Sequence, residues 1–369
     1  MTVQQLAVAQ SFYIRGKVLD GETLAPLRNA SVYINNSTKG AITDDNGEFQ
    51  IGPLQPGHYE LVASYVGFES LLYAVDLVTT NVRITFQLDK KEKQMREILI
   101  LPAETRLRYL KIFKDNLLGF TNAAQSCKIK NLKEVQFAAG SNKNEVIAYA
   151  DTSLIIENPE LGYIIHFTII DFYYNRSTGL SYFFGYTRFE DMNKEGEQKR
   201  KWKRRRNNTY EGSTQHFFHS LVKRKLDEEG FTVQQVLEKS IAAKDSLPEK
   251  GSVVIRRSLP SKINIARTVT ADSLLCLYSD SGYKIYELSA ADWLRVIYKK
   301  NTKLKLDMQQ KQILTGQPRS GTFSVLRPSA RPILLDYKGT LLTPLAIYYD
   351  GIWAYERLAN MLPEDYEPD

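Results

Sequence analysis

Ala41-Ile-Thr-Asp-Asp-Asn-Gly-Glu-Phe-Gln-Ile51, followed by Pro56-Gly-His-Tyr-Glu-Leu61, is the stretch on which the reading of the fold turns. Glu48-Phe-Gln-Ile51 alternates polar and apolar residues directly after the turn formers Asp45-Asn-Gly47, which is the pattern of a short strand with one face on a core and one in water. Asn46 and Gly47 both tolerate positive φ, so the spacing predicts a hairpin in which Thr43 and Phe49 face each other. The same alternation recurs outward from this point, in Phe12, Ile14, Gly16 and Val18, in Val32 with Ile34, in Tyr59, Leu61, Ala63 and Tyr65, and in Val82-Arg-Ile-Thr-Phe-Gln-Leu88. Turn formers separate the segments at Asp20-Gly21, Pro53, Pro56-Gly57 and Gly67. About seven short strands in roughly 90 residues predict an antiparallel sandwich rather than a ligand-enclosing barrel.

Five sequence elements then stand in a familiar order: Gly16-Lys-Val18; Pro26-Leu27 before Ala30-Ser-Val-Tyr-Ile34; Thr43-Asp-Asp-Asn-Gly-Glu-Phe49; Pro56-Gly-His-Tyr59; and Ser64-Tyr-Val-Gly-Phe68. Together they resemble the carboxypeptidase-like regulatory domain, a seven-stranded sandwich with a transthyretin-like fold. With Glu97-Ile-Leu-Ile-Leu101 as a last strand, the domain is placed at residues 11–101. The resemblance implies an interaction or scaffolding module of a kind common at the N-termini of Bacteroidota cell-envelope proteins, including many TonB-dependent transporters. It does not imply peptidase activity. The region after it resembles a recurrent envelope-protein partner of this domain with no established activity.

The chain has 369 residues, of which 43% are hydrophobic and 25% charged, a globular balance with enough apolar material for a core in each half. No run approaches the roughly 20 apolar residues of a membrane helix. Leu6-Ala-Val-Ala9 before Gln10 has the small-x-small form of a signal-peptidase site, without a charged or fully apolar segment ahead of it. Residues 1–10 are therefore expected to be either the end of a signal peptide that starts upstream of Met1 or a short tail. Taken with the resemblance, they point to export, to the periplasm or the outer membrane. Cys127 and Cys276 could form one bridge in an oxidising space, but buried free thiols are the expectation, because Cys127 follows a helix and Cys276 sits in the apolar run Leu274-Leu-Cys-Leu-Tyr278.

The net charge of +7 has one source. Lys199, Arg200, Lys201, Lys203, Arg204, Arg205 and Arg206 contribute seven positive charges, the whole excess of 49 basic over 42 acidic residues. One run holding a single Trp202 is expected to be a solvated hairpin tip or inter-strand loop. Its sharper reading is a patch for anionic lipid headgroups, acidic polysaccharide or nucleic acid. Nucleic acid ranks last, because a nucleic-acid reader more often spreads its basic residues along a groove or helix.

Residues 102–369 are expected to form a strand-rich α+β domain. Leu107, Leu110, Phe113 and Leu117 recur at helical spacing over 103–118, and Gly119 is placed to end that helix. Val135-Gln-Phe-Ala, Val146-Ile-Ala-Tyr-Ala, Ser153-Leu-Ile-Ile-Glu, Tyr163-Ile-Ile-His-Phe-Thr-Ile-Ile and Leu180-Ser-Tyr-Phe-Phe-Gly-Tyr predict strands, most economically arranged as a meander. A second helix follows Ser213 with Phe217, Phe218, Leu221, Val222 and Leu226 on its apolar face, and a third is expected over 290–300 from Trp293, Leu294 and Ile297. Trp353 and Leu362 need cover, which predicts a docked C-terminal end.

Chemical motifs are few. His216 and His219 lie on one side of the second helix and could supply two metal ligands, but the glutamate of an His-Glu-x-x-His site is missing. His58, His166, His216 and His219 are the four histidines, and none begins an His-x-x-Glu carboxypeptidase motif. Asp44, Asp45 and Glu48 lack calcium-loop spacing and read as turn formers. No nucleophile elbow, phosphate loop or dinucleotide fingerprint is present, so no cofactor is implied. The 22 tyrosines and 16 phenylalanines include Asp171-Phe-Tyr-Tyr174 and Tyr182-Phe-Phe-Gly-Tyr186, where alternation should turn at least one ring outward. Two readings follow: a non-catalytic envelope binding or scaffolding protein whose second domain holds a glycan, peptide or protein partner, or an envelope hydrolase built around His216, His219 and carboxylates such as Glu211.

Overall fold

Phe12, Ile14, Gly16, Val18 and Asp20 all face inward from β1 (Phe12–Asp20), so the alternation read from the sequence becomes one wall of a core. This strand is the middle of a three-stranded sheet, between β4 (Glu48–Leu54) and β7 (Val82–Leu88). Its pairing with β7 is parallel, the exception in an otherwise antiparallel sandwich. The facing sheet has the order β3 (Gly40–Ile42), β2 (Ser31–Ile34), β5 (Gly57–Ser64) and β6 (Leu71–Leu77). Ile14, Val18, Val32, Phe49, Leu61 and Phe86 fill the space between the sheets.

The expected hairpin at 41–51 is not formed. β3 and β4 belong to different sheets, and the turn carries the chain from one sheet to the other. Thr43 does not face Phe49. It is locked against residues 27–30, donating its N–H to Ala30 O (2.9 Å) and its hydroxyl to Leu27 O (2.5 Å). Asp44 Oδ1 accepts from the N–H groups of Asn46 and Glu48, and Gly47 alone takes the left-handed position, at φ 71°.

The structure, a computed structural model, describes residues 11–91, 101–138, 140, 142–193, 195–240, 262–280, 282–290, 293–300 and 323–368. The expectations for 1–10 and for a strand at Glu97-Ile-Leu-Ile-Leu101 fall almost entirely outside these residues. The chain divides into two compact units, the first comprising Met1–Ser213, Asp280–Tyr283 and Tyr355–Asp369, the second Thr214–Ser279 and Lys284–Ala354.

Beside the sandwich, the first unit holds a six-stranded sheet and helices α1 (Ala103–Leu118) and α2 (Asn122–Ser126). The helix over 103–118 ends at Gly119 as expected and buries Phe113 and Leu117, but Leu107 is exposed, and Tyr109 packs on Phe137. The sheet order is β8 (Lys128–Ile129), β11 (Leu154–Asn158), β12 (Tyr163–Asn175), β10 (Glu145–Tyr149) and β9 (Gln136–Ala138), with β13 (Ser181–Asp191) also on β12. The strands do not form the expected meander. β12 has 13 residues, long enough for β11 to pair with residues 163–167 and β10 with 173–175 while β13 pairs along nearly its whole length. The C-terminal residues Leu358, Ala359 and Leu362 are buried in the same core, and Asn158 Nδ2 donates to Ala359 O (2.9 Å).

The sandwich is joined to this sheet by backbone hydrogen bonds. Asn36 donates to Thr187 O (2.7 Å), and Phe189 donates to Ser37 O (2.9 Å), so residues 35–37 lie along β13 as an added edge. Buried Asn35 accepts from Thr187 N–H through Oδ1 (2.9 Å) and donates to Glu60 (2.8 Å). From the C-terminal tail, Glu364 N–H donates to Asn36 O (2.7 Å).

Between β13 and the second unit the chain forms α3 (Glu197–Tyr210). The second unit opens with α4 (Thr214–Val222) and α5 (Leu226–Glu229), the helical region expected after Ser213. A five-stranded sheet follows, in the order β15 (Lys262–Val269), β14 (Phe231–Ser240), β18 (Trp293–Tyr298), β19 (Phe323–Pro328) and β21 (Ile347–Gly351). A three-stranded sheet runs β16 (Leu275–Ser279), β17 (Ile285–Leu288) and β20 (Leu334–Asp336), with the short α6 (Ala271–Leu274) leading into it. The helix expected over 290–300 is strand β18: Leu294 and Val296 alternate into the core, and β14 and β19 pair on either side. Trp353 is buried against Phe217. Both cysteines are free, but only Cys127 is buried, and burial pushes its thiol up to about 12. Cys276 is exposed, because in Leu274-Leu-Cys-Leu-Tyr278 the core takes Leu274 and Leu275 and leaves Leu277 and Tyr278 outside.

Candidate functional site

The β12–β13 ribbon owes its two-faced character to one extra residue. Ile165, Phe167 and Ile169 point into the core, and strict alternation would then place Asp171 and Tyr173 there. A bulge between Ile169 and Asp171 inserts Ile170, which is exposed, and resets the parity so that Phe172 is buried against Phe113 (ring centroids 4.8 Å apart). Gly185 lies opposite Ile169. A Cβ there would fall 2.2 Å from Thr168 O, so the strands can approach at the bulge only over a bare Cα.

As a result Tyr173, Tyr182, Phe184 and Tyr186 share the outer face. Tyr182 is 45% exposed and stacks on Tyr173, with centroids 5.3 Å apart and planes at 16°. Tyr173 Oη donates to Glu145 Oε1 and accepts from Asn175 Nδ2, both at 3.2 Å, and Phe184 meets Tyr186 edge-on at 6.4 Å. The lower part of the face is polar. His166 Nε2 lies 3.2 Å from Glu190, which Arg188 also approaches (3.8 Å), and burial together with the Arg188 charge holds the imidazole below its ordinary value despite Glu190. Tyr33, from the sandwich, is buried here beside Thr168, and burial pushes its hydroxyl up to about 12. The sandwich thus closes one end of the ribbon's outer face, and the stacked tyrosines stand at the other. Outward rings in both aromatic runs were legible from alternation. The bulge and the contribution of Tyr33 were not.

The basic run is a helix, not a hairpin tip or loop. Trp202 anchors α3: its ring is 3% exposed, Nε1 donates to Pro159 O (2.9 Å), and Gly162, at φ 72°, passes so close beneath that a Cβ would sit 2.1 Å from the indole. Arg206 turns inward on the same side. It donates to Leu161 O (2.7 Å) and Gly162 O (3.1 Å), pairs with Asp191 (2.9 Å) and stacks on Tyr163, 3.8 Å from the centroid. Burial raises the Tyr163 hydroxyl even though Arg206 pulls it the other way. Arg205 pairs with Glu160 (3.1 Å). Lys199, Arg200, Lys201, Lys203 and Arg204 are exposed, with Lys201 paired to Glu197. The signal that finds this helix in the sequence is Trp202, Arg206 and Tyr210, one residue per turn.

In the second unit, His216 and His219 are held within α4. His216 is 5% exposed, with Nε2 3.3 Å from Glu229 and its ring edge-on to Phe231 (4.8 Å) and Tyr298 (5.6 Å). Burial, with the neighbouring charges of Lys223 and His216, pushes His219 down to about 4, and Gly339 approaches its backbone so closely that a Cβ would lie 2.8 Å from His219 N. Glu211, the other hydrolase candidate, is exposed at the C-terminal end of α3 in the first unit. Among the described residues no group of three or more His, Cys, Asp or Glu could hold a metal ion, and no helix is long and apolar enough to cross a membrane.

Residues 14–100 match the CarboxypepD_reg-like domain family. By sequence, no curated protein matches the chain. Among solved structures, a DUF3823 family protein from Bacteroides ovatus aligns at 9% identity over 79% of this chain and 91% of its own, with a TM-score of 0.19. A Bacteroides fragilis protein of unknown function, thought to be membrane-associated, aligns at 12% identity over 92% of this chain and 93% of its own, also at a TM-score of 0.19. The pilus 2b backbone protein of group B streptococcus aligns at 21% identity over 23% of this chain, spanning 43% of its own length, with a TM-score of 0.21. Likeness at these TM-scores carries no inference about activity or partners.

Proposed function

We propose that this chain is a non-catalytic binding protein of the bacterial cell envelope, in which the sandwich braces the six-stranded sheet and the outer face of the β12–β13 ribbon receives a glycan or protein partner. The observation that carries this reading is the exposed Tyr182 stacked on Tyr173. Phe172, next to Tyr173, is buried in the core, while the sandwich fixes the other end of the ribbon through residues 35–37. Rigid exposed aromatic surface suits binding, since a flat ring offers large contact area to a sugar face or an apolar side chain and little side-chain freedom remains to be lost. The family match to residues 14–100 supports the scaffolding role. Residues 35–37 of the sandwich are engaged by β13 of the same chain.

Retention on isolated envelope material tests the reading. The wild-type protein should be retained and a Tyr173→Ala/Tyr182→Ala variant released. Protease or periodate treatment of the material then separates a protein partner from a glycan. Equal retention of both proteins, or of neither, would overturn the assignment of the ribbon.

A further inference from the structure

We infer that the outward face of α3 is a docking surface for an anionic lipid bilayer, recognised through headgroup phosphates. The five exposed cations, Lys199, Arg200, Lys201, Lys203 and Arg204, lie within two turns of a helix pinned by Trp202 and Arg206; Arg200, Lys201 and Arg204 point away from that anchored stripe, and Lys199 and Lys203 flank it. A loop would have to be ordered to bring such charges together. Here the fold has already done so.

This arrangement works against the helix itself. Lys199 with Lys203 and Arg200 with Arg204 are like-charged pairs four residues apart, and the first members stand in the N-terminal turn, where the helix dipole disfavours cations. Within the helix the acid of the first turn, Glu197, is paired to Lys201. The seven charges of the run equal the net excess of positive charge in the whole chain, so this stretch is the strongest local concentration of positive charge in the sequence.

Trp202 decides which polyanion fits. It is the sole aromatic within the run, and it is buried, so the exposed face offers point charges and guanidinium groups with no ring to stack on a base or a sugar. A cluster of four to eight Lys and Arg on a helix is suited to an array of lipid phosphates, whose positions need not be matched one by one. This surface is separate from the tyrosines of the ribbon, and it stands or falls independently of them.

Flotation of the full chain with vesicles tests the inference. Vesicles of phosphatidylglycerol and phosphatidylethanolamine should carry the protein, and phosphatidylcholine vesicles should not. Raising salt from about 0.1 M to about 0.5 M should release it, which needs no variant. Replacing Lys199, Arg200, Lys203 and Arg204 by Gln should lower vesicle affinity at least about ten-fold. The same change at four scattered exposed lysines, Lys128, Lys143, Lys223 and Lys284, should leave it nearly unchanged. The inference is overturned by no binding to the anionic vesicles, by salt-insensitive binding, or by an equal loss in the scattered variant. Tighter binding of polyphosphate or duplex DNA than of vesicles at equal phosphate concentration also overturns it.

Discussion

Helices α3 and α4 carry the two sets of candidate site residues, and they use them in opposite ways. α3, with 14 residues, buries Trp202 and Tyr210 and turns five cations to the solvent. α4, with nine residues, buries six of them, His216 among these. Burial converts potential chemistry into packing. The inward imidazole of His216 is packed against Phe231 and Tyr298, and the inward Arg206 of α3 is consumed by carbonyls, a carboxylate and a ring. Only side chains on an outward face remain available to a partner, and the local sequence does not say which face that is.

The largest expected effect is on the anchor of α3. Trp202→Ala should destabilise the first unit by about 3–5 kcal/mol in denaturant unfolding, as a buried indole leaves a cavity. A loss below about 1 kcal/mol would break the contrast, because α3 would then be a surface element on both sides. Next comes the acid response of α4. His219 stays deprotonated in the native state down to about 4, whereas the unfolded chain takes up its proton near 6.5. Between those values the unfolded state binds more protons, so stability is full above about pH 6.5 and falls as the pH drops towards 4, by up to about 3 kcal/mol. His219→Gln should flatten that part of the stability profile; an unchanged slope would place the imidazole in water.

Arg206→Gln should cost about 1–3 kcal/mol, since it removes a charge-assisted network and leaves Asp191 without this partner. Thermal unfolding of this variant beside one at exposed Arg204 sharpens the contrast between the two sides of α3. The smallest effect has the opposite sign. Arg200→Gln with Arg204→Gln should raise stability by a few tenths of a kcal/mol at low salt, and the gain should fade as salt screens the repulsion. A loss of stability would mean that these cations hold the fold together.

The sandwich was legible in the sequence to nearly every strand because its strands are short, alternate cleanly and stop at turn formers. The hairpin expected at 41–51 is absent because Thr43 is satisfied by Leu27 and Ala30 rather than by a residue across the turn. In β18, Trp293, Leu294 and Ile297 fit a helical period as well as a strand. The pairing of Leu294 with Leu326 and of Gln235 with Leu294 selects the strand, and that information lies in distant segments. The bulge at Ile170 left no local mark except Gly185 on the neighbouring strand. The basic run was read as a loop because its hydrophobic signal is a single tryptophan. The helical stripe becomes visible only when Arg206 is counted as an inward residue, which ordinary hydrophobic patterning does not do.

The sequence by itself determined the sandwich, the family match of residues 14–100, the concentration of net charge in residues 199–206 and the presence of outward rings in the two aromatic runs. These depend on spacings of a few residues, where the backbone period alone assigns sides. Tertiary structure decided that residues 35–37 complete the edge of β13, that Arg205 and Arg206 turn inward while their five basic neighbours face out, and that His216 is buried beside Phe231 and Tyr298. Asn35 and Thr187 are 152 residues apart, and their hydrogen bond has no local signature. It exists because a buried amide and an unpaired strand edge each need a partner once water is excluded.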